Sequence, residues 1–177
     1  MSRLGGWVQT YTGVAFWPLD PREDEICIED IAHSLSLICR YGGHCRRFYS
    51  VAEHCVHVSN HVPPPVALEG LMHDASEAYL ADVPRPVKPF LENYKALERN
   101  LDEVIARRFR LSFPLPAIVK AVDAGMLQDE ARQLMATPPQ PWNFPSPPVG
   151  VELQCWSPEW AEIEFLSRFA QLRRLTA

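Results

Sequence analysis

Proline does more than any other residue to limit what this chain can become. Its 17 prolines gather at positions 18–21, 63–65, 84–89, 114–116, 138–148 and 158, leaving Pro-free windows of 41, 18, 24, 21 and 19 residues. Proline is excluded from helix interiors and central strands, so regular structure has to lie inside those windows. Only 8 glycines occur among 177 residues. Windows this long without glycine-rich turns read as helices separated by stops, not as the short, evenly spaced strands of a sandwich. A disordered reading fails as well, because 47% of the residues are hydrophobic and 22% charged.

Length and charge fit a single domain over 1–177, with a core at about 26–137 followed by a proline-rich segment and a C-terminal helix over 138–177. A net charge of −5 gives no electrostatic footprint for stable nucleic-acid binding. The five cysteines form no C-x-x-C pair, which points to reduced thiols. No basic n-region precedes an apolar run and no long apolar stretch occurs, so the expectation is a cytoplasmic protein with no membrane association.

Apolar spacing supplies the elements. Trp7 to Trp17 is aromatic, β-branched and turn-punctuated, which suits a small hairpin. Ile28, Ile31, Leu35 and Ile38 step at helix spacing up to Arg40-Tyr41-Gly42-Gly43. Ser50 and Glu53 have the spacing of a capping box, and Val51, Cys55, Val58 and Val62 carry a second helix to Pro63. A third helix is expected over Val66–Ala81, a fourth through Leu97, Leu101, Ile105 and Phe109, and a fifth from Ile118 to Met135. Ser157-Pro158-Glu159 opens a last helix. The fold class expected is all-α, a compact helical bundle with a small N-terminal hairpin.

All six histidines fall between His33 and His73. His54, His57 and His61 share one edge of the second helix, and a local zinc site there competes with ordinary half-buried imidazoles. His73 and Asp74 are adjacent, and Glu77 follows four residues after His73, so three ionisable groups converge. Asp123 lies in line with Val119 and Leu127 on an apolar stripe, where an ionised carboxylate is costly unless a distant arginine or a metal compensates it. Imidazole nitrogen with carboxylate oxygen suits Zn, Mn, Co or Fe better than Ca or Mg. A site of His54, His73, Asp74 and Asp123 fits these facts economically.

The order His54 … His73-Asp74 … Asp123 resembles the pattern of HD-domain metal-dependent phosphohydrolases. Within that family it is most similar to the branch of bacterial 5′-deoxynucleotidases and phage deoxynucleoside triphosphohydrolases. The resemblance is carried by Val51-Ala52-Glu53-His54, by His73-Asp74-Ala75-Ser76-Glu77 with Asp82-Val83-Pro84-Arg85-Pro86-Val87-Lys88, and by Val122-Asp123 with Leu127 and Glu130-Ala131. These segments span roughly residues 40–135.

The resemblance implies one divalent transition metal (Mn, Co, Zn or Fe) held by His54, His73, Asp74 and Asp123. It implies Glu77 as the proton-handling group and Asp82 as a second acidic contact to sugar or water. Arg40-Tyr41 stands where the nucleotidases have an Arg-Trp pair against phosphate and sugar, and this departure leaves sugar discrimination open. The step of 19 residues from His54 to His73 is short for the family and requires a tight connection at Pro63–Pro65. A homo-oligomer is implied too, in a bacterial cell or, if phage-encoded, in the host cytoplasm.

An anionic substrate on an acidic protein needs local positive charge. Arg40 with Arg46 and Arg47, and Arg85 with Lys88, form two basic loops around the proposed metal, and His44 beside the paired glycines is a further substrate contact. His33 reads as structural. Trp142, Phe144 and Trp156 suit packing over the core better than base stacking, and Cys55 reads as an inert buried thiol. The function expected is hydrolysis of deoxynucleoside monophosphates to nucleoside and phosphate. The alternatives are a deoxynucleoside triphosphate triphosphohydrolase, a non-catalytic nucleotide-binding module, and a structural zinc protein built on His54, His57 and His61.

Overall fold

In the computed structural model, which describes residues 3–175, the chain opens as an antiparallel hairpin of β1 (Val8–Gln9) and β2 (Ala15–Phe16), with Val8 opposite Phe16. Gly13 takes φ +87° in its turn, where its N–H donates to the Thr10 carbonyl at 3.0 Å. Thr12 donates through its backbone N–H (2.7 Å) and its hydroxyl (3.0 Å) to the carboxylate of Asp30, which pins the hairpin to the first helix. Phe16 is fully buried and stacks on Tyr79 with ring centroids 4.2 Å apart.

The first helix, α1 (Ile28–Leu37), buries Ile31, Ala32 and Leu35. It stops short of Arg40: Ile38 and Cys39 turn extended, and Cys39 bridges to Ser50 before a tight turn over Arg40–Gly43. Next, α2 (Val51–His61) is buried at every residue from Val51 to Ser59, as befits the central helix of the bundle. Ser50 caps it by accepting the Glu53 N–H at 3.0 Å, but only this half of the expected capping box forms.

After Pro63–Pro65 the chain doubles back into α3 (Ala67–Met72). A Cβ at Gly70 would meet the Ser59 Cα at 3.1 Å and the Val62 Cγ2 at 3.0 Å, so the missing side chain is what lets the two helices approach. The helix expected over Val66–Ala81 is not continuous. It breaks at 73–76 into turns closed by i→i+3 hydrogen bonds, such as Ala75 N–H to the Met72 carbonyl at 3.1 Å, and resumes as the short α4 (Glu77–Leu80). The tighter winding changes the directions of His73 and Asp74 from those an unbroken helix would give.

Two longer helices follow, α5 (Tyr94–Phe109) and α6 (Ala117–Leu134), and α7 (Pro158–Leu175) packs on α1, α2 and α3. One contiguous apolar core runs from Phe16 through Leu35, Val58, Leu101, Met126 and Phe165 to Leu172. No helix among the described residues is long and apolar enough to cross a membrane.

The irregular segment 138–156 is strapped down by helix side chains. Asp129 Oδ2 accepts the backbone N–H groups of Val149 (2.9 Å), Gly150 (2.8 Å) and Val151 (3.3 Å). Gln133 takes the Leu153 N–H at 3.0 Å and donates to the Val151 carbonyl at 2.7 Å. The fully buried Glu53 accepts from Gln154 (2.9 Å), Cys155 (2.8 Å) and Trp156 (2.6 Å). Trp156 also stacks on His57, whereas Trp142 and Phe144 lean on each other.

Candidate metal centre

Three elements deliver the candidate ligands. His54 comes from the middle of α2, His73 and Asp74 from the turn after α3, and Asp123 from α6. The Nε2 atoms of His54 and His73 stand 3.2 Å apart. Asp123 Oδ1 lies 3.2 Å from His54 Nε2 and 3.9 Å from His73 Nε2, and Asp74 Oδ2 lies 3.8 and 3.1 Å from the same two atoms. With metal–ligand bonds of about 2.0–2.2 Å, neighbouring donors around one ion are separated by roughly 3.0–3.6 Å. Three of the proposed ligands, His54, His73 and Asp123, thus form a group that can hold a metal ion, while Asp74 stands with His73 and Cys55 in a second, overlapping group.

The tautomers suit this use. His73 Nδ1 faces the Gly70 carbonyl at 2.9 Å, which only accepts, so this nitrogen carries the proton. His54 Nδ1 faces Glu130 Oε1 at 2.7 Å, and both residues are fully buried. Both Nε2 lone pairs therefore point at the same small space, an arrangement that repels unless a cation or a proton sits between them. The carboxylates favour positive charge in that space. Burial pulls His73 down, but Asp74 and Cys55 push it well above the ordinary histidine range. Burial also opposes ionisation of Asp74 and Asp123, yet the two histidines hold both below the usual carboxylate range.

Glu130 is the residue whose role the sequence did not disclose. Besides orienting His54, its other oxygen receives Arg40 at 3.1 Å and the Tyr41 hydroxyl. Burial opposes its charge, but Arg40 and His54 together bring it down to about 2. The available signals were its place in the Glu130-Ala131 pair of the resemblance and its spacing of seven residues from Asp123, two turns along the same face of α6.

Arg40 and Tyr41 are accordingly engaged inside the site: the Arg40 guanidinium also lies 3.6 Å from Asp74, while Tyr41 turns at φ 58°. Arg85 is mostly exposed and reaches Asp123 Oδ2 at 3.8 Å, so the distant arginine expected for Asp123 is present alongside the ligand cluster. Lys88 is turned to Glu98 at 2.7 Å and sits over the Tyr94 ring. His44 is exposed, with no contact to the cluster recorded among the described residues. His57 pairs with Glu53 at 3.4 Å and His61 Nδ1 faces the His57 carbonyl at 2.8 Å, so these two imidazoles do not join His54 in a local zinc site. His33 pairs with Glu162 at 3.0 Å.

Glu77 begins α4 and is buried, and its Oε2 has no hydrogen-bond partner. Burial first, then the neighbouring charges of Asp74 and Asp82, push its carboxyl up to about 9. A carboxyl that keeps its proton at neutral pH beside a ligand cluster is equipped to donate it. Asp82 is half-buried and acts on Glu77 through its charge. Between them Ala81 adopts φ 67°, ψ 159°, a conformation normally left to glycine. Cys55 is the third member of the close group with His73 and Asp74, and burial pushes its thiol up.

An all-helical bundle with a small hairpin, carrying a buried His/Asp group able to bind a metal, is the class of protein that fold and site define. No family model matches the chain. It is 44% identical over 128 residues to the "uncharacterized protein YfdR" of Escherichia coli (strain K12), covering 72% of each chain. It is 34% identical over 142 residues to the "uncharacterized protein RCAP_rcc00048" of Rhodobacter capsulatus, again covering 72% of each. The chain belongs to the same family as YfdR.

Proposed function

We propose that this protein is an HD-type, metal-dependent phosphohydrolase acting on 5′-deoxynucleotides, with release of phosphate from deoxynucleoside monophosphates as its main reaction. The observation that carries the reading is the close group of His54, His73 and Asp123, with Asp74 against both imidazoles and the unpartnered carboxyl of Glu77 near enough to feel the charge of Asp74. A divalent ion bound there, of the Mn, Co, Zn or Fe type, would supply Lewis acidity and an activated water. Glu130 keeps the His54 Nε2 lone pair directed at the site, as supporting carboxylates do for ligating histidines. Arg85 is free to swing from Asp123 to a phosphoryl oxygen, while Arg40 adds fixed positive charge beside Asp74. Glu77 holds the proton that the departing nucleoside oxygen needs, and Asp82 keeps it there.

A second reading, release of tripolyphosphate from a deoxynucleoside triphosphate, draws on a cavity of about 490 Å³ that borders His73. Arg99 and Lys120 line it, and neither makes an ion pair recorded among the described residues. The test is incubation of metal-reconstituted protein with every dNMP, dNTP and rNTP, with both products identified. Phosphate from dNMP supports the main reading and tripolyphosphate from dNTP the second. No turnover with Mn, Co, Zn or Fe refutes both and leaves a nucleotide-binding module.

A further inference from the structure

The N-terminal hairpin, α1 and α4 enclose a cleft of about 770 Å³, of whose lining only Glu77 has a part in the chemistry above. Its composition differs from that of the ligand cluster. Among the described residues no lysine or arginine lines it; besides the phenols of Tyr11 and Tyr79, its ionisable members are Asp30, His33 and Glu77. A phosphate is therefore unwelcome, whereas a neutral group that offers N–H or O–H donors is matched.

Two features of the cleft call for such a ligand. Tyr11 lies flat on His33, with ring centroids 3.6 Å apart and planes 11° apart, yet it is 63% exposed, which leaves its outer face open. Glu77, only 7% exposed, lines the same cleft, and its Oε2 is a buried polar atom without a hydrogen-bond partner. Buried polar atoms of this kind are normally satisfied. Glu77 also feels the charge of Asp74 and Arg40, so a residue of the cleft lining is electrostatically linked to the ligand cluster.

We infer that the hairpin cleft takes the nucleoside end of the substrate, with the base stacked on the open face of Tyr11 and a sugar oxygen hydrogen-bonded to the Glu77 carboxyl. This rests on the phosphohydrolase reading and adds to it a division of labour: positive charge and ligands for the phosphate, an aromatic and acidic cleft for the nucleoside. The hairpin is then the element that selects the substrate. The volume suits a nucleoside, since small-molecule sites occupy roughly 300–1,000 Å³.

The experiment measures binding of deoxyadenosine, deoxyguanosine, deoxycytidine and thymidine to the metal-loaded full chain, by calorimetry, for wild type, Tyr11→Ala and Tyr11→Phe. At least one nucleoside binds the wild type; Tyr11→Ala weakens it by about tenfold or more, and Tyr11→Phe stays within about twofold, because stacking needs the ring and not the hydroxyl. In parallel, the ratio of kcat/KM for the nucleotide to that for phenyl phosphate falls by a similar factor in Tyr11→Ala, with bound metal unchanged. The inference is overturned if no nucleoside binds, if Tyr11→Ala binds it as tightly as wild type, or if Tyr11→Ala alters the oligomeric state and not the affinity. Nucleoside binding through Tyr11 without hydrolysis of any nucleotide would instead refute the phosphohydrolase reading and leave the cleft assignment standing.

Discussion

Replacing Glu130 with glutamine tests how the centre is held. The wild-type carboxylate receives His54 at 2.7 Å, Arg40 at 3.1 Å and the Tyr41 hydroxyl, in a position with no solvent. Glutamine keeps the volume but retains a single acceptor. If that oxygen stays with His54, the new NH2 confronts the Arg40 guanidinium, donor against donor. One charge-assisted hydrogen bond worth about 1.5–3 kcal/mol is lost. The nearly buried arginine is left with Asp74 alone at 3.6 Å. Breaking one side of a buried pair costs about 3–5 kcal/mol, so about 3 kcal/mol is the expectation with Asp74 remaining. For a chain of this size that lowers the melting temperature by roughly 6–12 °C. Metal affinity, read by chelator competition, should fall about 10- to 100-fold, because His54 loses its charged orienting partner. The double variant Arg40→Met/Glu130→Gln should recover part of the lost stability and none of the metal affinity. A Glu130→Gln protein that melts with wild type and binds metal equally well would refute the account.

Other perturbations separate the parts of the molecule. Asp123→Ala should abolish metal binding and hydrolysis, whereas His57→Ala should keep its metal; elemental analysis of the purified variants distinguishes this centre from a site on α2 alone. Glu53→Gln offers one acceptor where three backbone N–H groups converge, so a loss of about 3 kcal/mol is expected, together with new protease cuts within 138–156. Asp102 is raised to about 6, by burial first and then by the charges of Glu98 and Asp74. Because the folded state binds its proton more tightly, stability from this group is full below about pH 4 and lost as the pH rises through about 6. The drop is at most about 3 kcal/mol, less for the solvent screening a half-buried carboxyl. Denaturant titrations of wild type and Asp102→Asn across that range should differ by this slope.

Much of the bundle was legible because proline and apolar spacing act locally. The windows between prolines contain α1, α2, α5, α6 and α7, and the turn at Gly13 marks the hairpin. Asp123 was conspicuous for the same reason, as a charge out of place on an apolar stripe. The break at His73 was not legible, since no proline or glycine lies between Leu71 and Ala81 to announce it. Glu130 and Glu53 were harder still. Each sits at an ordinary helical position, and what makes it structural is a partner 76 or about 100 residues away: His54 and Arg40 for one, the 154–156 backbone for the other. Prolines 138–148 told where helix could not be, but not that Asp129 and Gln133 would hold the segment that follows them.

The burial of α2 by α7 has a consequence for how the protein is made. The helix that carries His54 emerges from the ribosome with the part of its surface that α7 will cover still open, and Phe165 and Arg168, whose guanidinium binds Ser59, follow about a hundred residues later. At synthesis rates of roughly 5–20 residues per second that interval is on the order of 5–20 s, long on the scale of collapse and aggregation. Assembly of the candidate metal centre is thus bound to the arrival of a helix that contributes none of its proposed ligands.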